Sequence, residues 1–393
     1  LQACNVYNPA SNVNLSDTYK LAEKEVNPKF SFYHTNKDST LFYVKQARKD
    51  LTYDDNLTAQ IKLKWVVLSD YESDDIIDSS STIIYDTLDG TQGNYLKHKQ
   101  DIKLVAGQNY VIKTIFSDIN QDVKKETFHT IKKKNAYQRC FFELRQHGKH
   151  KYEPLIRPDD TIKIHYNYSE KLIVQYFDKS FQPPRPPYLN ARKTKNMDRP
   201  DSIFSITLNN NTSKKLQFAA KGIYHIQADT SQSAGLTLFN FGENYPMITN
   251  HNDMTGPLIY IATEYEYKDL INNKNAKEAI DEFWITQSGN PERARILIRD
   301  YYSRVERANK LFYTQRPGWK TDRGMIYTIL GTPKIVYRSN RGETWIYGES
   351  AQYNALKFDF EKSENPFTNE EYKLKRSPKY KDQWYYAIDI WRR

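Results

Sequence analysis

Residues 317–333 read PGWKTDRGMIYTILGTP: three glycines, two prolines, a tryptophan and the adjacent pair Asp322 and Arg323. So many turn formers and charges suit a phosphate cradle, a catalytic loop or a structural turn. A phosphate-binding loop needs a lysine and then Ser or Thr after its last glycine, so that amine and hydroxyl reach phosphate and metal. Here Gly324 is followed by Met325, and Gly331 by Thr332 and Pro333. Asp322 and Arg323 are capable of acid–base or oxyanion chemistry, yet no Ser, Cys or His stands beside them in the chain. The physical roles are those of a turn. Pro317 and Gly318 leave a helix, Thr321 caps the next one, and Asp322 sits at its positive end. Ile326, Ile329 and Leu330 share one face, and Gly331 with Pro333 stops the helix. The pair beside Trp319 reads as a buried structural network that locks this turn against the preceding helix.

Upstream, NPERARILIRDYYSRVERANKLFY predicts a long amphipathic helix. Asn290 is its N-cap, Pro291 its first residue, and Leu297, Tyr301, Val305, Ala308 and Phe312 its apolar face. A shorter helix is expected in NAKEAIDEFWITQ, on Ala276, Ile280 and Phe283. Downstream, KIVYR and ETWIYG read as strands joined around Asn340, Arg341 and Gly342. ALKFDF follows as a third strand and WYYAIDIW as a closing one. The region 273–393 is therefore expected to be an α+β domain, helices packed on an antiparallel sheet.

The rest of the chain is expected to be mainly β. Residues 30–182 alternate with period two (Ile61, Leu63, Trp65, Val67; then Tyr110, Ile112, Thr114, Phe116), which predicts an antiparallel β-sandwich. The prolines of FQPPRPPYLN mark a linker over 183–200, since they cannot donate to a ladder. Residues 201–272 are read as a second, smaller β-sandwich, because KGIYHIQAD (221–229) echoes GQNYVIKTIFSD (107–118). Tyrosine abundance, 31 Tyr against 4 Met, agrees with pleated and half-exposed surfaces.

The net charge of +10 arises from 58 basic and 48 acidic residues, which are interspersed along the chain. With no helix-turn-helix, zinc or RNA-binding aromatic signature, nucleic acid is not expected as a partner. No run of eighteen apolar residues occurs, so no membrane-spanning helix is expected. His147 and His150 have metal-like spacing but no further ligands nearby, and neither a metal nor another cofactor is expected. The two cysteines, Cys4 and Cys140, describe no disulfide scaffold.

The chain opens LQAC, which looks like the tail of a bacterial lipoprotein signal with Cys4 as the acylated residue. Residues 1–29 are accordingly expected to be a lipidated, polar tether. Cys140 is then expected to be a buried small hydrophobe.

RVERANKLF, PGWKTDRGMIYTILGTPKIV and ETWIY together resemble the GWxTD-domain proteins of Bacteroidota and related bacteria. Gly318, Trp319, Thr321 and Asp322 fill the naming motif; Arg323, Gly324, Gly331 and Pro333 continue it, with Trp345 and Tyr347 as its later aromatic pair. The resemblance covers about 274–393. It implies an exported, often lipidated envelope protein with no assigned catalytic residues. A fainter likeness, on Leu330-Gly331-Thr332-Pro333 and Trp345-Ile346-Tyr347, is to the small helix-plus-sheet domain of outer-membrane assembly lipoproteins. Exported proteins of these bacteria are often O-glycosylated at Asp-Ser/Thr-apolar or Asp-Ser/Thr-Thr triplets, which makes Ser39, Thr87, Thr161 and Ser202 candidates. The expected function is a non-enzymatic, outer-membrane-anchored scaffold subunit of an assembly or export complex, with other outer-membrane proteins as partners. The face on which it is displayed, periplasmic or cell-surface, is left open. The alternatives are a surface carbohydrate- or peptide-binding lipoprotein, and a hydrolase using Asp322 or another carboxylate.

Overall fold

The computed structural model describes residues 10–20, 26–90, 93–192, 199–348 and 355–392. Cys4 lies outside them. Seven strands come first: β1 (Lys29–His34), β2 (Ser39–Ala47), β3 (Thr58–Leu68), β4 (Ile76–Thr87), β5 (Tyr95–Lys103), β6 (Asn109–Asp118) and β7 (Val123–Lys132). They form two antiparallel sheets, ordered β1-β2-β5 and β4-β3-β6-β7. Ile61, Leu63, Trp65 and Val67 share one core with Phe42, Val44, Leu96, Ile102 and Ile112, as the period-two reading expects. This is a β-sandwich. Cys140 is half-buried against its core rather than fully enclosed, and burial raises its thiol pKa.

Nine strands follow: β8 (Glu143–Gln146), β9 (Lys149–His150), β10 (Thr161–His165), β11 (Lys171–Phe177), β12 (Ser202–Asn209), β13 (Thr212–Ser213), β14 (Leu216–Gln217), β15 (Gly222–Gln227) and β16 (Leu236–Asn240). One antiparallel sheet runs β16-β15-β11-β12-β13-β10-β8-β9, with β14 on β10. Its two halves share a second core, in which Leu144, Ile162, Ile164, Val174, Ile206, Ile226 and Leu238 meet. Strand pairing thus joins what the sequence reading divides at 182–183. Strands β8 to β11 precede the prolines, yet β11 pairs with both β12 and β15. The Pro-rich stretch is an excursion between neighbouring strands, where no ladder bond is required of it. The break between the β units falls near 133–142.

The third unit holds the helices α1 (His251–Thr255), α2 (Glu264–Asn272), α3 (Ala276–Ser288), α4 (Pro291–Phe312), α5 (Asp322–Leu330) and α6 (Lys381–Trp391), and the strands β17 (Ile335–Arg338), β18 (Gly342–Tyr347), β19 (Leu356–Lys362) and β20 (Tyr372–Leu374). The sheet order is β17-β18-β19-β20. Asn290 caps α4 by accepting from the Arg293 N–H at 2.9 Å, and Tyr301, Val305, Ala308 and Phe312 are buried as expected.

Two elements differ from expectation. Helix begins at His251, inside the block read as strand-rich, and α2 opens with a capping box between Thr263 and Glu266. WYYAIDIW is helix α6 rather than a strand. Trp384, Ala387 and Trp391 are its buried side, at helical spacing, and Tyr385 and Tyr386 face outward. The fourth strand is the short β20 instead.

The N-terminal segment also departs from a free tether. Leu15 and Tyr19 enter the core of the helical unit, and the Leu15 N–H donates to the Val336 carbonyl at 2.8 Å. Asn14 donates to the Lys334 carbonyl and accepts from the Val336 N–H, so the segment covers the outer edge of β17. The buried Leu15 and Tyr19 side chains and an otherwise open strand edge supply the reason for docking.

Candidate functional site

The GWxTD stretch turns its polar groups inward. Helix α4 ends at Phe312, and the chain returns so that Gly318 lies against the Ala308 carbonyl of α4, with Gly324 lying in turn against the Gly318 carbonyl. A Cβ at either glycine would fall inside a backbone carbonyl, which is why side chains are absent there. The Trp319 N–H donates to Asn309 Oδ1 at 3.2 Å, and the Tyr260 hydroxyl donates to the Trp319 carbonyl at 2.7 Å. Thr321 caps α5 as expected: its Oγ1 donates to the Gly318 carbonyl at 2.7 Å and accepts from the Gly324 N–H at 3.0 Å. Gly331 closes the helix, its N–H on the Tyr327 carbonyl, and its own carbonyl accepts from the Tyr347 hydroxyl at 2.9 Å. Pro333 lies just beyond that cap, before β17.

Asp322 and Arg323, adjacent in sequence, point to different partners. Arg323 is fully enclosed between the faces of Tyr372 and Phe312, its guanidinium 4.0 and 5.2 Å from their ring centres. Its Nη1 lies 3.3 Å from Glu343 Oε1, and its Nη2 donates to the Glu370 carbonyl at 2.8 Å. Glu343 collects four donors. Tyr19 reaches both oxygens at 2.7 and 2.8 Å, Arg338 Nε reaches Oε1 at 2.8 Å, and Trp345 Nε1 reaches Oε2 at 2.9 Å. Burial opposes ionisation of Glu343. Arg338, Arg323 and the hydroxyl and indole donors outweigh it, and bring the pKa down to about 2. The Tyr19 hydroxyl is pushed up by burial and then by the Glu343 charge, so it stays a donor.

Asp322 binds Arg376, and its second oxygen accepts from the Leu374 N–H at 2.9 Å. Nη1 of Arg376 donates onward to the carbonyls of Arg185 and Pro186. One residue of the pair therefore fastens the N-terminal segment and the other fastens the Pro-rich excursion. Arg376→Ala is expected to cost roughly 1–3 kcal/mol, as a mostly buried charged acceptor loses its donor. Amide exchange over 183–192 should rise at least tenfold with α4 protection unchanged. Equal exchange in the variant would show that this clasp holds nothing.

The sequence reading places Asp322 and Arg323 beside Trp319 in one structural network, and the two prove to belong to separate ones. It passed over Tyr19, Asn309, Arg338, Glu343 and Arg376. A signal for two of them was present: Val336 with Arg338, and Glu343 with Trp345, alternate on single faces of paired strands, in which Arg338 stands opposite Glu343.

Of the glycosylation candidates, Ser39, Thr161 and Ser202 open β2, β10 and β12, while Thr87 ends β4. Thr87 and Ser202 are exposed, and Ser39 and Thr161 half-buried. Among the described residues no cluster of metal-ligating side chains occurs, and no helix is long and apolar enough to cross a membrane. His150 has another role. Its Nε2 is 3.0 Å from Ser31 Oγ and its Nδ1 is 3.4 Å from Glu143 Oε1, the spacing of a nucleophile, base and acid. Yet Arg145 and Tyr43 also bind that carboxylate, Tyr43 stacks on the imidazole at 3.9 Å, and Ser31 lies within strand β1. The chain of contacts reads as a joint between the two β units.

The fold and this site define a class: β units closed by a helix-on-sheet module whose motif is an internal lock. The chain contains a GWxTD domain, the model for that domain matching residues 222–393. The match opens at β15, ahead of the 274 at which the sequence resemblance starts. No curated protein matches the chain. Among solved structures, red sea bream transglutaminase shares 9% identity over 56% of this chain and 32% of its own, with a TM-score of 0.20. A calcium-binding mutant of Bacteroides uniformis β-glucuronidase 2 shares 10% over 44% and 19%, with a TM-score of 0.22. The chain thus spans about a third and a fifth of their lengths, and neither likeness bears on its fold or function.

Proposed function

We propose that the chain is a non-enzymatic, lipid-anchored accessory or scaffold subunit of an outer-membrane protein assembly or export complex, working through protein–protein contacts. The observation that carries this reading is the inward use of the motif. Arg323, Asp322 and Glu343, the residues with most chemical capacity, bind each other's neighbours inside the module and tie two remote segments to it. Such an arrangement favours a rigid block over a reaction centre. It also sharpens the anchor. Residues Ala10–Asn12 form a helical turn and the Ser11 N–H donates to the Tyr71 carbonyl, so a lipid on Cys4 has at most about 23–25 Å of extended chain between it and the folded body. The module is then held at the bilayer surface instead of standing off on a tether.

The test has two arms. Palmitate labelling of the native protein should be lost in Cys4→Ser. The wild type, extracted from its own envelope in mild detergent, should carry other outer-membrane proteins in fixed proportion. Particles containing this chain alone, or no label on Cys4, would overturn the proposal.

A further inference from the structure

Strand β4 is the outer strand of the β4-β3-β6-β7 sheet and, among the described residues, pairs with β3 alone. Its apolar side chains are left in the open: Ile76, Ile77, Ile83 and Tyr85 are 50, 48, 50 and 65% exposed. Edge strands are ordinarily guarded by lysine, proline or a covering segment. IIDSSSTIIYDT holds no lysine, arginine or proline, and one of its two aspartates, Asp86, is engaged by Arg48 and Tyr53.

We propose that β4 pairs antiparallel with β4 of a second copy of this chain, about a two-fold axis at Ser80, joining two four-stranded sheets into one of eight. The strand is nearly its own complement about that residue. Antiparallel pairing there sets Ser79 against Ser81, Asp78 against Thr82 and, at the end of the ladder, Ile77 against Ile83. Isoleucine meets isoleucine, and within the strand no like charges oppose. Moving the axis to Ser81 would set Asp78 against Ile84 and Ile76 against Asp86. Moving it to Ser79 would set Ile77 against Ser81 and Ile76 against Thr82, so that isoleucine no longer meets isoleucine. The pattern therefore selects a single register.

The backbone agrees. The Leu88 N–H donates to the Leu57 carbonyl, and the β3–β4 register continues without a shift from Thr87 to Asp78. By alternation the even-numbered residues bond to β3, and the amides of Ser79, Ser81 and Ile83 aim at the open edge. Ser79 and Ser81 of the two copies then exchange hydrogen bonds across the axis. Ser80 faces its own copy as a non-hydrogen-bonded pair, with Cα atoms about 4.5 Å apart. The register shift beside Leu68 makes Ile77 the bulged residue, which ends the ladder there. One strand pair covers less than the ~1,600 Å² of a standard interface, so association is expected at micromolar concentration. The inference is independent of the membrane anchor.

The experiment uses the full chain with Cys4→Ser. Mild oxidation of Ser80→Cys should give a disulfide-linked dimer, because the expected Cα separation lies in the disulfide range. Thr82→Cys, whose two copies stand about 13 Å apart in this register, should remain reduced. In sedimentation velocity the chain with Ser80 and Ser81 intact should dimerise as concentration rises. Ser81→Pro, which removes an outward donor and no β3 bond, should weaken dimerisation at least tenfold with an unchanged melting temperature. A monomer at every concentration, a Ser80→Cys that stays reduced, or a Thr82→Cys that links as fast would each overturn the proposal.

Discussion

Glu343→Gln is expected to destabilise the protein by roughly 3–5 kcal/mol at neutral pH, among the largest single effects a substitution produces. Glutamine preserves the shape but removes the one anion that both Arg323 and Arg338 touch. Both guanidiniums are buried. Glu370 is half-exposed and reaches only Arg323, while the Tyr372 and Phe312 rings offset part of one charge. Arg338 is left without a counter-ion in the core. Chemical denaturation followed by tryptophan fluorescence reads the effect directly, and a loss under about 1 kcal/mol would show that the network is not what holds the module.

The same carboxylate sets an acid dependence whose sign is fixed. Its pKa in the folded protein is about 2, against about 4.3 in an unfolded chain. The stability it contributes is therefore complete above the unfolded value, and is lost as pH falls through the window from about 5 to 2. The size is on the order of 3 kcal/mol. The wild type should lose stability more steeply over that window than Glu343→Gln, in which the group is missing. Parallel curves would mean that other carboxylates dominate the acid response.

What was legible in the sequence follows from how local each cause is. The caps Asn290 and Thr321, the apolar face of α4 and the alternation of Ile61 to Val67 rest on neighbours within a turn or a strand, and they read correctly. WYYAIDIW misled because its aromatic density suits either periodicity. Only the outward placement of Tyr385 and Tyr386, set by packing against the rest of the module, selects helix. The Pro-rich stretch misled for the opposite reason. Proline says that a segment forms no ladder, and says nothing about whether the strands on either side pair with each other, as β11 and β12 do. The site's two arms lie furthest from local reasoning. Tyr19 and Glu343 are 324 residues apart, and Arg376 is reached from Asp322 across a sheet edge. A polar N-terminal run gives no sign that one of its tyrosines closes a core.

Gly318→Ala tests whether the family motif is written by backbone approach. The added Cβ would overlap the Ala308 carbonyl and come within 2.7 Å of the Asn309 Cα. Both obstacles are main chain in α4, so no rotamer change relieves them. The turn must lift off the helix, and its Trp319 N–H to Asn309 bond and Gly318 N–H to Tyr245 bond go with it. Gly324 leans on the same carbonyl stack, so the displacement propagates into the start of α5. A loss of more than about 4 kcal/mol, or failure to accumulate folded protein, is expected. Gly289→Ala is the matched control. Gly289 caps α3 at φ 77° with open space where a Cβ would stand, so its cost is backbone strain alone, about 1 kcal/mol. Melting temperatures of the two variants separate the causes: a wide gap assigns the motif's first glycine to close packing, and equal losses would assign it to turn conformation instead.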